Sequence, residues 1–169
     1  MLCPTQHTDK ESWCGGCKSE QRMAVGCPFI TCAVKRKCLE FCWDCDESEK
    51  CDKWKKHREL SHRVDSFVCY QKLEDNIATA KKDGVPALAR LLRRKEALLK
   101  RMLAEFNEGR SKSYFCIAAT VMDADELSGA LDEARKRSKG LGPKDRARIM
   151  HEVLDKIAAR EKYLLKLRH

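Results

Sequence analysis

Nine of the eleven cysteines fall within residues 1–51: Cys3, Cys14, Cys17, Cys27, Cys32, Cys38, Cys42, Cys45 and Cys51. Only Cys69 and Cys116 lie in the rest of the 169-residue chain. This first segment shows neither a helical period nor sustained alternation, and Pro4, Gly15, Gly16, Gly26 and Pro28 punctuate it. Such a segment cannot bury enough apolar surface to offset the entropy of ordering itself. Cross-links must supply the difference, and the compartment decides their kind. The opening Met-Leu-Cys-Pro-Thr-Gln-His has neither the basic start nor the apolar core of a secretory leader. The expectation is therefore a cytoplasmic, reducing setting, where dense cysteine means metal. Each structural zinc supplies about 10–16 kcal/mol of apparent free energy in small peptides.

The spacing supports that reading. Cys14-Gly15-Gly16-Cys17 and Cys42-Trp43-Asp44-Cys45 are Cys-x-x-Cys knuckles. Two intervening residues let both sulfurs reach one tetrahedral ion at about 2.3 Å. With Cys27, Cys32, Cys38 and Cys51 they make eight thiols, enough for two four-cysteine sites and two zinc ions. A sequential pairing takes Cys14, Cys17, Cys27 and Cys32, then Cys38, Cys42, Cys45 and Cys51. An interleaved pairing joins the two knuckles and leaves Cys27, Cys32, Cys38 and Cys51. The alternative use of the same thiols is an iron–sulfur cluster or a thiol-redox centre, although the Cys-x-x-Cys-x-x-Cys run of bacterial ferredoxins is missing.

The stretches Cys14-Gly-Gly-Cys17-Lys-Ser, Cys32-Ala-Val-Lys-Arg-Lys-Cys38, Cys42-Trp-Asp-Cys45-Asp-Glu and Cys51-Asp-Lys-Trp54 together resemble the cysteine-rich domain of unknown function 3795 family of bacteria and archaea. The resemblance covers residues 3–58 and extends more loosely through 105–116. It implies zinc binding and carries no established activity. The family opens with Cys-Gly-x-x-Cys-x-x-Cys, where this chain has Cys3 alone. Its next motif is Cys-x-Ile-Arg-x-Cys, so Cys38 stands one residue further from Cys32 than in the family. Cys3 is accordingly the rival of Cys38 for the eighth ligand place.

Charge divides the chain in the same way. Residues 1–51 carry a net −1 and the remainder a net +10. From about Ser48 the pattern turns helical. Leu60, Val64, Phe67, Val68, Tyr70, Leu73, Ile77 and Ala80 recur at three- and four-residue steps until Gly84. Pro86 opens a second stripe of Leu88, Leu91, Leu92, Leu98, Leu99, Met102, Leu103 and Phe106, which Asn107-Glu108-Gly109 ends. The apolar run Tyr114 to Met122 reads as a buried helix, because no other segment offers it a strand partner. Asp123 and Glu126 match a capping box, and Pro143 opens a last helix striped by Met150, Val153, Leu154, Ile157, Ala158, Leu164 and Leu165. The expected fold is mainly α: a small irregular metal-binding head over residues 1–52 and a four- or five-helix body over residues 53–169.

No serine–histidine–acid set, carboxylate dyad or dinucleotide loop is readable, so no catalytic residue is assigned and a binding module is expected. His7, His57 and His62 read as solvated, and Cys69 and Cys116 as core thiols. Trp13, Trp43 and Trp54 read as covers for the metal knuckles. Gly109-Arg110-Ser111-Lys112-Ser113 places two cations and two hydroxyls before a helix, and Arg110, Ser111, Lys112 and Ser113 are expected to form an anion or acidic-partner site. The basic runs at residues 53–58, 93–95 and 135–139 are mixed with acids and read as solvated faces. They allow weak, non-specific nucleic-acid binding at most. A protein partner is expected. A membrane is not, since no run of about 18 apolar residues occurs.

Overall fold

The computed structural model describes residues 28–61 and 72–165. Cys3, Cys14, Cys17, Cys27, Cys69, His7, His62 and Trp13, and the His57 side chain, lie outside the described residues. The protein is mainly helical, with no strand among the described residues.

The chain forms two compact units, and the division falls between Arg63 and Val64 rather than at the composition shift after residue 52. The first unit therefore includes the helix α1, Asp52–Ser61. Trp54 explains why. Its ring packs on Phe29 with centroids 4.9 Å apart, which fastens α1 to the cysteine-bearing turns. Those turns are short. One α-helical turn, Pro28–Ile30, runs straight into a π-helix, Thr31–Arg36. There the Lys37 amide donates to the Cys32 carbonyl at 3.1 Å, and the Leu39 amide to the Ala33 carbonyl at 2.8 Å. A 3-10 turn, Cys42–Asp44, follows. Only Ile30 and Ala33 are buried among the described residues of this unit.

The second unit has five described helices: α2 Leu73–Asp83, α3 Val85–Phe106, α4 Lys112–Val121, α5 Ala124–Arg137 and α6 Pro143–Glu161. Gly84 separates α2 from α3 at φ 84°, a left-handed backbone that an L side chain resists, and Pro86 sits in the first turn of α3. At about 1.5 Å per residue, the 22 residues of α3 make it the spine of the unit, about 33 Å long. Helices α2, α4, α5 and α6 all pack on it.

Helix α4 is the centre of the core. Tyr114, Phe115, Cys116, Ala118, Ala119 and Val121 are all buried, so its apolar surface runs round the helix instead of along one stripe. A helix apolar all round belongs inside, and the run read as a buried helix is one, Lys112–Val121. Phe106, Met102, Leu127, Leu131, Met150 and Leu154 close around it. Small residues at Ala118, Ala119, Ala130, Ala134 and Ala158 allow the helices to approach closely. The capping box is present, with the Asp123 amide donating to Glu126 Oε2 at 3.0 Å.

Two details depart from the sequence stripes. Helix α6 stops at Glu161 because Lys162 turns left-handed at φ 59°, so Leu165 folds back into the core while Leu164 is 46% exposed. Lys95, within a run read as solvated, is buried. Its ammonium donates to the Thr120 carbonyl at 3.4 Å, at the C-terminal turn of α4 where free carbonyls favour a cation. Burial lowers its pKa.

Candidate metal centre

The first unit holds a cavity of about 360 Å³ lined by Cys32, Cys42, Cys45 and Cys51 together with Phe29, Trp54 and Lys37. Local backbone explains the convergence. Cys32 lies in the π-helix, whose wider turn carries the chain round to Lys37. Cys42 and Cys45 bracket the 3-10 turn, closed by the Cys45 amide donating to the Cys42 carbonyl at 3.2 Å. Cys51 precedes α1 and its carbonyl accepts from the Lys55 amide at 3.0 Å, which fixes its position at the helix start.

Cys42 feels the other three thiols. Burial raises the Cys42 pKa, the indole N–H of Trp54 donates to its sulfur and partly offsets that rise, and Cys32, Cys51 and Cys45 each oppose its ionisation. On Cys45 the partner is a cation. Lys37 Nζ donates to Cys45 Sγ at 3.2 Å and to Glu47 Oε2 at 2.7 Å. The Glu47 bond, then the Cys45 bond, hold the Lys37 ammonium above the ordinary lysine range, and Lys37 in turn lowers the Glu47 carboxyl. Among the described residues no three His, Cys, Asp or Glu side chains form a group that could hold a metal ion as they stand. The four sulfurs share a cavity without closing on a point.

Their chemistry nevertheless fits a soft or borderline metal, because an all-sulfur donor set selects zinc or iron–sulfide over magnesium or calcium. The set differs from both pairings read in the sequence. Cys32 joins Cys42, Cys45 and Cys51, whereas Cys38 is exposed at φ 53° and is not among the residues that line the cavity. The left-handed turn at Cys38 carries that residue out of the run that begins at Cys32. Of the tryptophans read as covers, Trp54 lines the cavity, while Trp43 stacks on Phe41 with rings 4.4 Å apart and 5° from parallel.

The segment Arg110–Ser113 takes a different form from the one its composition suggests. The helix starts at Lys112, so Lys112 and Ser113 lie within it and Ser111 occupies the cap position. The Ser111 side chain is buried and turned inward. It donates to Glu108 Oε2 at 2.5 Å and stands 2.7 Å from His151 Nε2. With its single proton given to Glu108, the hydroxyl accepts from the imidazole N–H. An internal carboxylate thus meets the one hydroxyl at this cap. The bond from Ser111 keeps the Glu108 carboxyl below its usual range. Arg110 and Ser113 are exposed and Lys112 is half-buried. The imidazole also stacks on Tyr114 at 4.0 Å, and the Tyr114 hydroxyl donates to Asp155 at 2.7 Å. This polar seam between α4 and α6 had no sequence signal, because Ser111 and His151 are 40 residues apart.

Three arginines of the basic runs, Arg94, Arg135 and Arg137, pair with acids, as does Arg148 outside them. Arg94 pairs with Asp125 and Arg135 with Glu105, while Arg137 and Arg148 both pair with Glu152. Cys116 is a core thiol, as expected, with its pKa raised by burial. No described helix is long and apolar enough to cross a membrane.

No protein-family profile, curated protein or solved structure matches this chain.

Proposed function

We propose that this is a cytoplasmic zinc-binding interaction module in which Cys32, Cys42, Cys45 and Cys51 hold one structural zinc ion. The observation that carries the reading is the presence of these four thiols on the wall of one cavity, two of them already accepting hydrogen bonds, from Trp54 and from Lys37. Metal-bound thiolates use such donors to spread their charge. Binding one ion requires these four sulfurs to be drawn together from the cavity wall they share. Four thiolates leave no open position for water or substrate, so the ion's contribution is a cross-link and not a catalyst. Cys14, Cys17 and Cys27, with Cys3 or Cys38, complete a second ion. The resemblance to the domain of unknown function 3795 family agrees with zinc. A protein is the partner class that fits best, because paired arginines leave a dispersed cationic surface suited to weak, sequence-indifferent phosphate contacts at most.

Elemental analysis of protein purified without oxygen tests this reading. The expected result is a colourless protein with two zinc ions per chain, and one fewer in Cys42→Ser. A brown protein with iron and sulfide would transfer the same cysteines to a cluster. Metal-free protein with its thiols paired as disulfides would end the metal reading altogether.

A further inference from the structure

The Lys37 side chain lies where a zinc–thiolate centre would place a cation, and the backbone puts it there by an unusual route. The π-helix Thr31–Arg36 adds a residue to each turn relative to an α-helix, and such turns recur at functional sites. Its last hydrogen bond runs from the Lys37 amide to the Cys32 carbonyl at 3.1 Å. The main chain of Lys37 is thereby tied to one thiol-bearing residue, while its ammonium reaches another, Cys45 Sγ, at 3.2 Å. Glu47, two residues beyond Cys45, holds the same ammonium at 2.7 Å. One residue therefore spans the cavity wall between Cys32 and Cys45, and a carboxylate orients it.

We propose that Lys37 is a positioning residue of this centre: it fixes Cys45 Sγ toward the ion and offsets part of the centre's negative charge, with Glu47 orienting the ammonium. The inference rests on the four-thiol reading given above. A divalent ion with four thiolates carries a net charge of −2, and Phe29, Leu39 and Trp54 give the cavity apolar walls against which that charge is costly. The ammonium sets a positive charge directly on one sulfur, with the Glu47 carboxylate that balances it on the ammonium's other side. A side chain that hydrogen-bonds a metal ligand typically governs 10–100-fold in affinity. Lys37 is partly exposed, its side chain at 35%, so the low end of that range applies.

The test is zinc affinity, read by competition with a chromophoric chelator on the full chain and four variants. Lys37→Met removes both charge and donor and is expected to weaken one zinc equivalent by about tenfold while the other is unchanged. Lys37→Arg keeps both and is expected to stay within about threefold of wild type, which converts to under about 0.7 kcal/mol. Glu47→Gln frees the ammonium and falls between. In the cobalt-substituted protein, Lys37→Met is also expected to shift the sulfur-to-metal charge-transfer band, which a surface lysine with a purely structural role would not move. Unchanged helix content in each variant excludes misfolding as the cause. Equal affinity and equal spectra in wild type and Lys37→Met would overturn the role of Lys37 and leave the zinc centre standing. Wild type that binds no zinc, or a Cys42→Ser variant that binds as wild type does, would remove the centre itself and this inference with it.

Discussion

Stripping zinc with a strong chelator is expected to abolish hydrogen-exchange protection across residues 31–61 while the amides of α3 stay protected. The reason is the size of the two cores. In the first unit only Ile30 and Ala33 are buried among the described residues, whose secondary structure is one α-helical turn, a π-helix of six residues, a three-residue 3-10 turn and one ten-residue helix. Ordering each residue's backbone costs about 1–2 kcal/mol, and isolated helices of this length are marginal in water. The apolar burial among the described residues does not offset that cost, whereas one bound ion would contribute about 10–16 kcal/mol. Helix α3, by contrast, buries Leu98, Leu99, Met102 and Phe106 against α4, α5 and α6. Exchange followed by mass spectrometry resolves the two regions. Protection of residues 31–61 that survives complete metal removal would show that the protein orders this unit without an ion. Loss of protection in α3 as well would show that the two units unfold as one.

Phe115→Ala is expected to destabilise the second unit by about 3–5 kcal/mol, the usual cost of emptying a fully buried phenylalanine site. Phe115 is 0% exposed on the central helix α4 and lies against the His151 ring, with centroids 5.4 Å apart. Its neighbours Ala118 and Ala119 are too small to fill the space it leaves. Against a total stability of about 5–15 kcal/mol, the loss should be plain in a urea titration that follows helix content. Leu164→Ala serves as the comparison. It alters a residue beyond the end of α6 that is 46% exposed, and is expected to change stability by less than about 0.5 kcal/mol. A Phe115→Ala cost below about 1 kcal/mol would mean that α4 is not the centre of the core.

What the sequence made legible follows from which forces act locally. Helix ends were readable because their signals lie within a few residues: Gly84 with its left-handed φ, Pro86 and Pro143 in first turns, and the Asp123–Glu126 box. The apolar stripes were readable because period 3.6 reports one buried face. The stripe on α6 overran by several residues because the left-handed turn at Lys162 carries no glycine to announce it. Lys95 and the Ser111–His151 contact were not readable, since both depend on helices that meet only in three dimensions. In the first unit, spacing identified the Cys42–Cys45 knuckle and its neighbour Cys51. Spacing alone could not show that Cys32 lines one cavity with them and that Cys38 does not, because that follows from a π-helix and one left-handed residue. Lys37 was hidden for a related reason. Nothing in the run Lys35-Arg36-Lys37 singles it out, and its contacts with Cys45 at 3.2 Å and Glu47 at 2.7 Å arise only in the folded chain.

The membership of the four-thiol centre is the claim on which the rest depends, and differential alkylation measures it one residue at a time. Native zinc-loaded protein is pulsed with iodoacetamide, then unfolded, and each cysteine's labelling is read by peptide mass spectrometry with and without prior chelation. The expected result is that Cys32, Cys42, Cys45 and Cys51 resist labelling until the metal is removed and become reactive together, while labelling of Cys38 decides only whether Cys38 or Cys3 completes the second ion. Labelling of any of the four at the free-thiol rate in the zinc-loaded protein, or metal-dependent protection of Cys38 in place of Cys32, would contradict the centre described here.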